Sequence, residues 1–263
     1  MGRAERRQQL KESEKRIAAG IDVRRRDGRD LAALMRVLHD RAELSVRRHS
    51  VRPLMEFIYA NLAGGTKHIA DTRIACSRGC AHCCSVWVEA SSPEVFYAVA
   101  AMDPAVRARA AQAVEDACRQ TAGLSFEERD RMRVACPLLE NDACSDYSGR
   151  PIACRTAVST DADICLRAYR LLSGEGVPVP IVWTGLRQGY SIALEGALIR
   201  AGLAHRYREW NDSLRIALSD ADAEKRWLTG TDVFANAAAT NAPPTFNHPD
   251  WRTLYVQAFG TFP

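Results

Sequence analysis

The chain of 263 residues carries 36 Lys+Arg against 32 Asp+Glu, a formal net charge of +4, and 47% of it is apolar. That composition suits a globular chain with a real core, and 26% charged residues with only 16 Gly and 11 Pro exclude wholesale disorder or a fibrous repeat. No apolar stretch approaches the roughly 18 residues that span a bilayer.

In chain order, the N-terminus Met1-Gly2-Arg3-Ala4-Glu5-Arg6-Arg7 runs on into charge rather than an apolar segment, which excludes a secretory signal and gives a cytoplasmic expectation with no membrane contact. Residues 1–50 hold 14 basic and 8 acidic residues, whereas residues 51–263 hold 22 and 24, so the whole positive excess is N-terminal. We read residues 1–50 as a basic arm, exposed helix or partly disordered over 1–28, then a helical face of Leu31, Leu34, Met35 and Leu38. A helix is expected from Arg52 to Leu62 and ends at Gly64-Gly65. A short strand is expected over Ser85–Glu89, through Val86 and Val88.

Ser91, Ser92, Pro93 and Glu94 signal a helix start, and Asp103-Pro104 opens another that runs to about Gln120 with a stripe of Val106, Ala110, Val114 and Ala117. Ser125 with Glu128 has the form of a capping box and opens a short helix to about Val134. Residues 136–154 read as a loop with too few apolar residues to pack itself. Helices are expected over Leu186–Leu203 and Tyr207–Leu218, then a turn-rich stretch from Gly230 to Pro249 and a last helix at Trp251–Phe259. Trp183, Trp210, Trp227 and Trp251 read as core or domain-contact residues. The fold class is therefore mainly α: a helical scaffold around a loop-rich cysteine region with little or no β. Its organisation is residues 1–50, a cysteine domain over 51–165 with its motif at 76–155, and a C-terminal helical region, 166–263, packed on it.

The nine cysteines are an odd number in a chain expected in a reducing compartment, which disfavours a disulfide framework. Seven are clustered. Cys76, Cys80, Cys83 and Cys84 form a Cys-x3-Cys-x2-Cys-Cys run, and Cys136, Cys144 and Cys154 follow some fifty residues on. Gaps of two or three residues let two thiolates turn back onto one ion, and Gly79 permits the sharp turn. Adjacent side chains diverge, so Cys83 and Cys84 serve two metals, or one ligates while the other packs or reacts. A metal would supply the folding energy that the second loop lacks.

At these residues the chain resembles the YkgJ-like cysteine-cluster proteins, a family of zinc- or iron-chelating domains. The resemblance rests on the first run and on Cys136-Pro137-Leu-Leu with Cys144-Ser-Asp-Tyr147-Ser-Gly-Arg150-Pro151-Ile-Ala-Cys154-Arg155. It implies that Cys76, Cys80, Cys83, Cys84, Cys136, Cys144 and Cys154 are the metal ligands, with Tyr147, Arg150 and Arg155 beside them. Some relatives are labelled iron–sulfur oxidoreductases and one related group acts as protein lysine N-methylases, so an enzyme here would be oxidoreductase-like or protein-modifying.

Gathered thiolates leave an anionic centre, which Arg150 and Arg155, flanking Cys154, can neutralise, as can Arg78; Tyr147 either donates its hydroxyl to a sulfur or packs under the loop. His82 between Cys80 and Cys83 is a lesser candidate ligand. Cys118 reads as a buried thiol, and Cys165 as at most an auxiliary ligand. His39, His49, His68, His205 and His248 share no ligand spacing. The reading favours an iron–sulfur cluster supporting a redox or group-transfer activity, with zinc or iron ions as the alternative cofactor. The alternative function is a zinc-stabilised, non-catalytic binding or adaptor module whose arm, through Arg24-Arg25-Arg26 and Arg47-Arg48, recruits an acidic partner. Interleaved acidic residues and few aromatics argue against nucleic acid. Neither substrate nor electron partner can be named from the sequence.

Overall fold

Helix α2 (Arg29–Arg48) is the axis on which four other helices pack. Its Leu31, Leu34, Met35, Leu38 and Ala42 recur at helical spacing and are all buried, each large one stabilising by about 1.5–3 kcal/mol relative to exposure. The computed structural model describes residues 2–19, 28–67, 73–77, 79–239 and 251–262. Arg24-Arg25-Arg26, His68, Arg78, His248 and the end of the turn-rich stretch fall outside them.

Helix α1 (Arg3–Ala18) precedes α2 and buries only Ser13 and Ile17. Charge holds it in place: Arg6 meets Glu43 at 2.7 Å, Glu14 meets Arg41 at 3.2 Å and Arg16 meets Asp30 at 3.1 Å. Such pairs at a surface contribute about 0–1 kcal/mol each. Several bases of the arm are thus matched against carboxylates of this same chain. Arg47 and Arg48 remain exposed at the end of α2.

Helix α3 (Arg52–Lys67) continues past Gly64-Gly65, which do not end it as expected. The expected strand at Ser85–Glu89 is also displaced. Residues 82–85 form turns, and β1 is Glu89–Ala90 alone, paired antiparallel with β4 (Arg208–Glu209). Helix α4 (Ser92–Ala101) begins at a Ser91 cap with Glu94 closing the capping box. Asp103 accepts from Ala105 N–H at 2.8 Å to start α5 (Pro104–Thr121). Ser125 and Glu128 cap each other at the start of α6 (Phe126–Met132).

Within the expected loop lies a hairpin, β2 (Leu139–Glu140) and β3 (Ala143–Cys144), turned by Asn141 and Asp142, both at positive φ. A two-residue turn with positive φ at both positions matches the twist of a hairpin, and Asn and Asp tolerate it best after glycine. Helices α7 (Ile152–Thr156) and α8 (Ala162–Arg170) follow, then α9 (Ile181–Arg200), α10 (Trp210–Ser219), α11 (Ala223–Leu228) and α12 (Trp251–Phe259). The fold is mainly α, with two two-stranded sheets among the described residues.

Helix α9 lies closest to α2, where Gly196 faces Met35: a Cβ on Gly196 would come within 2.6 Å of the Met35 sulfur. Helices α1, α3 and α12 also pack on α2, and α10 joins α5 and α4. Trp210, Trp227 and Trp251 are buried in the resulting core, whereas Trp183 is half-buried. That core runs from Ile17 to Ala258 and takes in Leu138 and Ile152 of the second cysteine segment. No helix among the described residues is long and apolar enough to cross a membrane.

Candidate metal centre

The first cysteine segment has almost no regular structure, and short turns fold it. Cys80 N–H donates to Ser77 O at 3.1 Å and Cys84 N–H to Ala81 O at 3.0 Å. Gly79, at positive φ, has open space where a side chain would be. Outside contacts place the segment. Ala75 N–H donates to Ser159 O at 2.8 Å, and Ser159 N–H donates to the Cys76 sulfur at 3.3 Å. An amide aimed at a sulfur favours its charged form.

The second segment is held by its own backbone and by buried polar groups. Ser145 N–H and its hydroxyl both reach Leu138 O, at 2.8 and 3.0 Å. Asp146, buried, accepts from Gly149 N–H at 3.1 Å. A Cβ on Gly149 would run into Asp146 and into the Ala98 backbone, so this turn lies directly on α4. Arg155 donates to Arg150 O at 2.7 Å and to Ser148 O, and its guanidinium lies 3.8 Å over the Tyr59 ring. The two segments meet where Cys136 N–H donates to Cys84 O at 2.7 Å.

The electrostatic interactions among the thiols form two overlapping groups. Burial pushes the Cys76 thiol up, the Ser159 amide pulls it down, and Cys80, Cys83 and Cys165 add to the rise. Cys165 responds likewise to burial and then to Cys80 and Cys83. The second group is Cys84, Cys136, Cys144 and Cys154: burial raises Cys136, with Cys154 and Cys144 adding to it, and burial, with Cys83 and then Cys144 adding, carries Cys154 to about 12. Cys83 stands between the groups. Its hydrogen bond with Cys84 raises Cys83 and lowers Cys84.

Arg150 acts in the opposite sense, favouring the thiolates of Cys83, Cys144 and Cys154. It also donates to Tyr147 O and lies 3.5 Å over the Tyr147 ring. Tyr147 itself is 64% exposed, so it is not packed beneath the loop as one of the two expectations for it had it. Arg155 works on the loop's carbonyls rather than on a thiol.

The donor set suits a soft transition metal, being thiols with an amide and a guanidinium arranged to support charge on them. His82 Nδ1, on the residue before Cys83, is buried with no hydrogen-bond partner among the described residues. Among the described residues no three His, Cys, Asp or Glu side chains converge on a single point as ion ligands do. The thiols are neighbours on a shared scaffold rather than closed polyhedra.

Cys118 lies elsewhere. It is buried beside Asp212 of α10, and burial and that carboxylate push its thiol up to about 12. Cys165, read from the sequence as at most an auxiliary ligand, interacts with Cys80 and Cys83. It is buried on α8, a helix the apolar pattern did not reveal but whose start was marked by Asp161, which accepts from Ile164 N–H at 2.9 Å. Tyr169, one turn further along α8, also lies near Cys83 and Cys165, which with burial raise its phenol. His39 packs against Phe259, and His49 is exposed at the end of α2.

A comparison with protein-family models matches residues 75–169 to the CxxCxxCC family, described as a putative zinc- or iron-chelating domain. This is the family that the cysteine motif resembles. The matched stretch contains all nine cysteines, and it supports binding of zinc or iron as the property of the segment. Neither the search of curated proteins nor that of solved structures finds a match to the chain.

Proposed function

We propose that residues 75–169 hold a thiophilic metal in two adjoining thiolate sets, Cys76, Cys80, Cys83 and Cys165 in one and Cys84, Cys136, Cys144 and Cys154 in the other. The observation that carries this reading is the Cys136 to Cys84 backbone bond, which seats the second cysteine segment against the first. The sets meet at adjacent residues, Cys83 and Cys84, whose thiols are hydrogen-bonded to each other and would each serve a different centre. Metal binding then supplies the stability that a loop-rich segment lacks on its own.

Iron–sulfur is the favoured occupant. Four thiolates suit a cubane cluster, and two sets that meet at neighbouring residues bring two centres into electron-transfer range. Arg150 and the Ser159 amide would tune the potential through charge and hydrogen bonding to sulfur. The activity proposed is redox or group transfer, with the C-terminal helices shaping the substrate's approach. The second reading is a zinc-stabilised module with no catalytic role. One feature favours it: eight thiolates close two four-ligand sites and leave none of the open positions a catalytic zinc needs.

The experiment is purification without oxygen, followed by a visible spectrum and quantification of iron, zinc and acid-labile sulfide. Broad visible absorbance with iron and sulfide supports the first reading. A colourless protein with two zincs per chain replaces it with the second, and a protein that takes up neither metal sinks both.

A further inference from the structure

Glu94 is 1% exposed and both of its oxygens are engaged. Oε2 accepts from Ser91 N–H at 2.8 Å and from the Ser91 hydroxyl at 2.6 Å, which completes the capping box of α4. Oε1 has a separate partner 58 positions along the chain: it accepts from Ile152 N–H at 2.6 Å. Capping α4 needs only one of these oxygens. Burying a carboxylate is costly, and burial does raise the Glu94 carboxyl. The second bond therefore calls for its own explanation.

Ile152 opens α7, and Pro151 before it has no side-chain group to satisfy that amide. Cys154 is two residues on, in the same single turn of helix. The Ile152 side chain is itself buried, and the preceding Gly149 rests on α4 at Ala98. The carboxylate thus pins the backbone carrying Cys154 to the rigid start of α4, at a point where the loop between Asp146 and Pro151 gives no helical support.

We infer that Glu94 is a positioning residue for Cys154, fixing the backbone at Ile152 so that the thiol faces its set. The inference rests on the proposed reading of Cys154 as a ligand. Glu94→Asp separates the two tasks of the side chain. The shorter arm still caps α4 at Ser91 but falls short of Ile152.

The test uses cobalt(II) as a spectroscopic probe of thiolate ligation on the full chain, with helical circular dichroism recorded in parallel. E94D is expected to keep the helical signal while losing the same part of the thiolate-to-cobalt absorbance and bound cobalt that C154S loses. E94Q, which keeps the length but can satisfy only one of the two backbone amides, should show an intermediate loss. Variants with wild-type cobalt content and spectrum overturn the inference while leaving the metal reading intact. Loss of the helical signal in both variants also overturns it, making Glu94 a general core residue. A wild-type chain that takes up no cobalt defeats the metal reading, and the inference with it.

Discussion

The Arg129 guanidinium meets the Glu209 carboxylate at 2.9 Å with both side chains buried, 8% and 2% exposed. The pair joins α6, which leads into the second cysteine segment, to the strand and helix at β4 and α10. Arg129 also lies 4.6 Å over Trp87, which follows the first cysteine run, so one guanidinium touches the surroundings of both segments. Removing one partner strands a buried charge, which costs about 3–5 kcal/mol. R129M is therefore expected to lower the denaturant midpoint steeply, and R129M/E209Q to recover part of the loss. Equal stability in the single and double variants would remove the pair as the cause.

Cys165 and Cys118 are both buried, but Cys165 interacts with Cys80 and Cys83, and Cys118 with Asp212. C165S should reduce bound metal as much as C80S does, while C118S leaves metal content unchanged. Elemental analysis of the three variants checks this. Full metal content in C165S would return the ligand set to the seven cysteines of the motif.

Gly196 makes room for Met35 between the two longest contacting helices. G196A gains about 1 kcal/mol of helix propensity but forces about 1–3 kcal/mol of overpacking on a core side chain that is 0% exposed. The net expectation is a lower melting temperature. In an M35A background the same change should be neutral or stabilising, and a destabilisation of equal size there would show that the clash lies elsewhere.

Glu224 of α11 accepts from Val51 N–H at 2.7 Å and so ties α11 to the turn before α3. Burial lifts its carboxyl above the ordinary 4.5, against the pull of that amide and of Arg52. A carboxyl raised in the folded state gives stability that is fully present below its unfolded value and lost as pH rises through the folded one. The stability of wild type relative to E224Q should thus fall as pH rises above 4.5 and then level off. Melting curves of both proteins across that range check the sign, and a difference that grows with pH contradicts it.

Helix starts were readable wherever the signal sits within a few residues, as at Ser91 with Glu94, Asp103-Pro104 and Ser125 with Glu128. The mainly α class followed from them. Where the outcome depends on distant contacts, the sequence misled or was silent. Two glycines cost α3 about 1 kcal/mol each, which tertiary packing of the helix outweighs, so Gly64-Gly65 did not stop it. Val86 and Val88 have the composition of a strand, but strand pairing was decided by the arrival of Arg208–Glu209 opposite Glu89–Ala90. The seven motif cysteines were visible as clusters. The grouping of Cys165 with the first of them arises only when Ser159 comes back to Ala75 and Cys76, a contact no local spacing encodes.

That return has a topological consequence. The bonds between Ser159 and residues 75 and 76 close a loop containing the whole second cysteine segment, α4, α5 and α6. A protease cutting at the exposed turn around Gly123 would therefore leave two fragments still clasped together, each anchored in the same core, and the nicked chain would migrate as one species until it was unfolded.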